Sequence, residues 1–258
     1  MTKLVSEFNY YLKILNALYL ELESLPSGSL IKMKGAVYYH KINGKCTGIT
    51  NNIEMIHQLA RKKFIVTFIK IIEDNFSIMK KSLILSPRKA PKLDVAKLKS
   101  LHPRDIIKSL PESYQGLSEL SFYHPFATKW FAADSKPNEY KRELLTHKSK
   151  GGKLFRSRGE QSFANLLEDN GLPYKSDVEL ILGGIKKFPD FIVLNPFIGK
   201  LTVLEFFGLA NQSGYDEQMN SKMDWYRLNG CNVIYLFESD IRDSQHLQNL
   251  IDEKIWGV

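Results

Sequence analysis

The sequence predicts an α/β (α+β) protein in which a basic helical region carrying a β-hairpin precedes a mixed sheet flanked by helices. Three observations predict it. From about residue 155 the periodicity runs helix, three strands, helix, strand, helix. Ahead of that, two long stretches at helical spacing bracket an alternating segment with Asn43-Gly44, a hairpin turn signal. The charge divides along a similar line: residues 1–110 hold 19 Lys and Arg against 8 Asp and Glu, while residues 111–258 hold 17 against 20.

A chain of 258 residues suffices for one large domain or two modest ones. Apolar content of 43% and charged content of 25% are those of an ordinary soluble globular protein, which excludes a disordered or fibrous class. No apolar run reaches the length of a membrane span. The opening MTKLVSEFNYYLK lacks the order of a signal peptide, and Cys46 and Cys231 form neither a disulfide framework nor a zinc site. A cytoplasmic protein with reduced thiols is expected. The absence of a Walker motif or GxGxxG argues against ATP-driven or dinucleotide chemistry.

Residues 6–25 read as a helix that PSGS at 26–29 breaks. The alternating ribbon follows, with Lys32, Lys34, Lys41 and Lys45 along it and Tyr38 and Tyr39 among them. Residues 53–82 return to helical spacing and contain Arg61-Lys62-Lys63, which reads as a solvated basic face. SPRKAPK at 86–92 reads as a linker, followed by short helical patches near 93–100 and 103–109. Region 1–110 is thus a candidate DNA-binding part. Residues 111–150 form an irregular connecting segment whose aromatics, among them Tyr114, Phe122, Trp130 and Phe131, are costly to leave wet; it is expected to wrap over the domain that follows.

Region 151–258 is the regular part. Ser157 opens a helix with Glu160 at capping-box spacing, and Gly171 and Pro173 close it. Strands are expected at 178–182, 188–194 and 201–207, then a helix at about 214–228, a strand at 231–237 and one final amphipathic helix. Strands two and three are joined by a short turn at Asn195-Pro196 and should pair as a hairpin. Asp190 lies at the entry of one and Glu205 near the exit of the other, so an antiparallel pairing makes them neighbours. Two ionised carboxylates in contact repel, and one takes up a proton unless a cation sits between them. A hard divalent ion meets that need. Glu160 offers a third acid, and Lys222 stands on the following helix with Gln218 one turn before it.

These residues resemble the PD-(D/E)XK nuclease superfamily, whose fold is called restriction-endonuclease-like. The resemblance lies in Pro189-Asp190, Glu205, Glu160 on the preceding helix, and Glu205-Phe206-Phe207-Gly208 followed by Tyr215, Lys222 and Tyr226. It covers roughly residues 135–245 and implies a restriction-endonuclease-like αβββαβα core. It departs from the commonest pattern at Phe207, where a lysine usually stands; the branch it resembles supplies that lysine from the helix, here Lys222. The resemblance implies Mg²⁺- or Mn²⁺-dependent hydrolysis of DNA phosphodiesters. Asp190, Glu205 and the Phe206 backbone carbonyl would hold the metal, and Glu160 a second ion or a metal-bound water. Lys222 would orient the nucleophilic water. Tyr215 and Gln218 join Lys32, Lys34, Lys41 and Lys45 as candidate DNA contacts. A catalytically inactive nucleic-acid-binding protein on the same fold is the alternative, and an RNA-directed nuclease is a third reading. A homodimer or a protein partner fits double-strand cutting.

Overall fold

The computed structural model describes residues 2–84, 93–207, 215–241 and 243–257. They fall into two compact units, residues 1–124 with 257–258, and residues 125–256. Residues 111–124 therefore pack with the first unit and 125–150 with the second. The expected linker at 86–92 and Gly208 lie outside the described residues.

The first unit is built on two helices, α1 (Thr2–Ser24) and α2 (Ile53–Ile84), with a three-stranded antiparallel sheet between them in sequence. Its strands are β1 (Ser29–Met33), β2 (Val37–Ile42) and β3 (Lys45–Gly48). Asn43 and Gly44 form the two-residue turn between β2 and β3, at φ +47° and +81° as a type I′ turn requires. The expected ribbon thus gains a third strand. Leu18, Leu59, Phe64, Ile65, Ile72 and Phe122 are all under 3% exposed and make the core. The short helix α3 (Pro103–Lys108) follows, and 3₁₀ turns at Glu112–Tyr114 and Glu119–Phe122 complete the unit.

Arg61, expected on a solvated face, is buried. Its Nε and Nη2 donate to the two carboxylate oxygens of Glu21 at 2.8 and 2.7 Å, and Nη1 donates to the Phe122 carbonyl at 2.5 Å. A guanidinium with every edge partnered can be buried where an ammonium with the same surroundings could not. Lys62 likewise spends its ammonium on the Pro26 carbonyl, at 2.8 Å.

The second unit is mixed α and β. It opens with α4 (Pro125–Ala132) and a two-stranded pair, β4 (His147–Lys148) and β5 (Leu154–Phe155). Next come α5 (Arg158–Asp169) and the strands β6 (Tyr174–Ser176), β7 (Leu180–Leu182), β8 (Ile185–Lys187), β9 (Phe191–Asn195) and β10 (Lys200–Phe207). Helix α6 (Tyr215–Leu228), β11 (Val233–Phe237), α7 (Glu238–Ile241) and α8 (Ser244–Ile251) complete it. The central sheet has the order β11-β10-β9-β6; β10 pairs parallel with β11, and β9 pairs antiparallel with both β10 and β6. β9 is buried at every position, as a strand covered on both faces must be. On one face Phe163 of α5 packs edge-on against Phe191 and Phe206; on the other α6 lies against Glu205. Each fully buried phenylalanine there contributes about 1.5–3 kcal/mol.

Two expected elements differ. The first strand of the central sheet is Tyr174–Ser176, not 178–182. Residues 177–179 are held elsewhere: Asn138 N–H donates to the Asp177 carbonyl and Glu179 N–H to the Lys136 carbonyl, both at 2.9 Å. The segment 136–138 thus runs along 177–179; the Asp177 N–H still reaches the Asp190 carbonyl at 3.2 Å, and from Val178 onward the chain leaves the sheet. Beyond them the chain forms the β7–β8 hairpin around Gly183-Gly184, at φ +56° and +77°. The expected single terminal helix is broken before Ser244, because the Asp243 carboxylate caps the N–H groups of Gln245 and His246 and starts α8 afresh. No helix of the described residues is long and apolar enough to cross a membrane.

Candidate functional site

The β9–β10 turn fixes the register of the site. Asn195 Oδ1 accepts from the Phe197 N–H at 3.1 Å and its carbonyl from the Gly199 N–H at 2.9 Å, so Asn195 pairs with Lys200. Counting back, Phe191 pairs with Leu204, and Asp190 reaches the level of Glu205. The paired ladder ends at Phe191, and Pro189, just before Asp190, has no N–H to donate. Beyond the ladder the Asp190 carboxylate bonds β10 as an acceptor: Oδ2 receives the Phe206 N–H at 2.7 Å.

Glu205 is 1% exposed. Its Oε2 accepts from Lys222 Nζ and its Oε1 from the Tyr226 hydroxyl, each at 2.5 Å. Lys222 and Tyr226 are four apart on α6 and so present one face to the sheet. Burial, and then the neighbouring Asp190, push the Glu205 carboxyl up to about 7, against the pull of Lys222 and Tyr226. Asp190 is also raised, chiefly by desolvation, with the Phe206 N–H and Lys222 opposing. The Tyr226 phenol is driven far upward by burial and by Glu205, so it acts only as a donor.

Glu160 sits at the start of α5, where Ser157 Oγ accepts its N–H at 3.1 Å and donates to its Oε1 at 3.0 Å. Its Oε2 accepts the Arg156 N–H at 3.3 Å. Burial and then the charge of Asp190 raise its pKa, so the third acid feels the pair. Glu160 and Asp190 both line a cavity of about 80 Å³ with Asp177, Arg142 and Arg156. Among the described residues, however, no three His, Cys, Asp or Glu side chains converge into one metal-binding cluster. The arrangement is a two-carboxylate pair with a helix-borne lysine, and an outlying third acid.

The structure therefore brings together Asp190, Glu205 and Lys222, with Phe206 supplying its N–H. Phe207, on the same face of β10 as Glu205, is buried and stacks on Tyr235 at 5.7 Å between centroids. Tyr215 and Gln218 lie on α6, but their side chains are outside the described residues. The lysines of the first unit do not form one stripe. By register Lys32 and Lys45 share the sheet face of buried Leu30, Lys41 is on the opposite face, and Lys34 is in the β1–β2 turn. Lys32 donates to the Gln115 carbonyl at 2.8 Å. Sequence reasoning missed the β7–β8 hairpin and its Lys186 and Lys187; two glycines between apolar runs were the signal that marks it.

No protein-family model, no curated protein and no solved structure matches the chain.

Proposed function

We propose that the protein is a metal-dependent nuclease that hydrolyses DNA phosphodiester bonds, on a restriction-endonuclease-like core. One observation carries the reading: two adjacent carboxylates at the ends of paired strands, Asp190 and Glu205, with Lys222 bonded to the second. The pair is charge-deficient. One lysine serves two acids, and both acids have raised pKa values. The donors are oxygens, the type a hard cation selects. Asp190, Glu205 and the Phe206 carbonyl would hold Mg²⁺ or Mn²⁺; in an extended strand that carbonyl points to the same side as the N–H that Asp190 accepts. Bound there, the ion supplies Lewis acidity for a water and for the phosphate. Lys222 keeps its ammonium on Glu205 and is thereby positioned beside the reacting group. Glu160, held by Ser157 and the Arg156 N–H, acts on Asp190 through its charge.

The test is cleavage of plasmid and of single-stranded DNA, with an RNA control, in the presence and absence of Mg²⁺ or Mn²⁺. Asp190→Ala and Lys222→Ala run alongside. Metal-dependent cleavage abolished by Asp190→Ala and lowered roughly 10²–10³-fold by Lys222→Ala is expected. Cleavage lost only in Asp190→Ala removes Lys222 from the reaction. Phe207 favours one second reading, a nucleic-acid-binding protein without catalysis: an apolar ring fills the position beside the acids on the same strand face. Metal-insensitive, salt-sensitive binding with no cleavage of any substrate would select it.

A further inference from the structure

Among the described residues, the β7–β8 hairpin forms a two-stranded sheet of its own, separate from the central sheet. A three-residue ribbon of this kind gains little stability by itself. Ile181 and Ile185 on it are more than half exposed, so it is not there to fill the core. Between its second strand and α6 runs an open groove of about 600 Å³, lined by Lys186, Lys187, Phe188, Glu217, Ser221 and Lys222. Three lysines face one acid. Lys186 is bonded to Glu179; the lysine side chain is 53% exposed and the glutamate 9%, so the cation is the solvent-facing member of the pair. Lys187 holds its ammonium 5.9 Å from the Trp225 ring of α6. Lys222 belongs both to the groove and to the acid pair, because its ammonium bonds Glu205. The groove therefore leads to the two carboxylates.

We infer that this groove is the track for the phosphodiester backbone of a nucleic-acid strand, with Lys186 and Lys187 as its phosphate contacts; the polymer's identity rests on the hydrolase reading above. Ammonium groups suit phosphates as point charges, whatever the base sequence. Lys186 and Lys187 on the β8 side and Lys222 on the α6 side line the same open groove, so a backbone carrying a phosphate at each nucleotide meets cations from both sides. The positively charged wall also offsets the two acids at its end, which would otherwise repel an incoming phosphate.

The test is fluorescence anisotropy with labelled single-stranded and duplex DNA, without divalent cations, between about 50 and 200 mM salt. The protein is the full chain carrying Asp190→Ala. Adding Lys186→Ala with Lys187→Ala should weaken binding about tenfold and reduce the slope of log affinity against log salt by about 1.4 for a single strand or about 1.8 for duplex. Lys186→Arg with Lys187→Arg should restore both. Unchanged affinity and slope overturn the inference, as does a loss that the arginines fail to rescue. Cleavage by the wild-type chain separates the two readings. Cleavage with binding indifferent to the lysines sinks the track alone; lysine-dependent binding with no cleavage sinks the nuclease alone.

Discussion

Each unit buries a glutamate against a cation, and the two are solved differently. In the first unit Glu21 meets Arg61 through two parallel bonds, and the third edge of the guanidinium goes to the Phe122 carbonyl. One guanidinium matches one carboxylate, with the His124 ring at 3.7 Å from Glu21 Oε2 as a further neighbour. In the second unit Glu205 meets a single lysine and a tyrosine, with Asp190 beside it as a second negative group. There the charges do not balance. A closed pair fixes helices; the second pair leaves an acid without a cation of its own, and its lysine also lines an open groove.

The largest expected effect breaks the closed pair. Arg61→Met leaves Glu21 buried opposite an apolar chain and should cost about 3–5 kcal/mol in urea denaturation. Lys222→Met should cost less, because Glu205 already titrates near neutrality and can take up a proton instead. Equal losses in the two variants would erase the contrast.

The next effect is in pH. Glu205 ordinarily titrates at 4.5 and is pushed to about 7 in the fold. The native state therefore holds more protons than the unfolded chain between those values, and stability falls as pH rises through that window. The part that Glu205 contributes is full below about 4.5 and lost above about 7, on the order of a few kcal/mol. Asp190 and Glu160 shift in the same direction and steepen the fall. In chelator, urea midpoints from pH 4.5 to 7.5 should decline for the wild type and flatten in Glu205→Gln. On the proposed metal-dependent reading, saturating Mg²⁺ should recover most of the loss at the alkaline end, because a ligand for the ionised pair would stabilise the native state alone. A wild-type midpoint that rises across this range would mean the acids are not strained by one another.

What could be read from the sequence tracks what is local. Asn43-Gly44, the Ser157 cap and the Asn195 turn are each set by residues two or three apart, and each appears where the pattern put it. The level of Asp190 with Glu205 followed from that last turn, because a short hairpin leaves no freedom in register. The burial of Arg61 was not legible: its partners are 40 and 61 residues away, and a basic triplet looks the same with or without them. Nor was β6. Three residues, Tyr174-Lys175-Ser176, are too few for a period-2 signal, whereas 178–182 is a largely apolar strand-like run whose last three residues enter a separate hairpin. Residues 136–138 decide between the two by bonding to 177–179, a choice made about 40 residues upstream.

The smallest effect refines how the third acid belongs to the unbalanced site. Ser157 both receives the Glu160 N–H and donates to its carboxylate, so one hydroxyl caps α5 and steadies a group that feels Asp190. Ser157→Ala removes both bonds and should cost about 1 kcal/mol in the urea midpoint at neutral pH, which Ser157→Thr should largely retain. Without the donor, Glu160 should titrate higher still, because burial and Asp190 then act on it with less opposition. The decline of stability with pH would consequently steepen in Ser157→Ala, while a helix cap with no link to the acids would lower the midpoint by the same amount at every pH. A uniform drop would assign Ser157 and Glu160 to the helix alone; a pH-dependent one places Glu160 in the same charge system as Asp190 and Glu205, as the electrostatics of the cavity between α5 and the sheet end require.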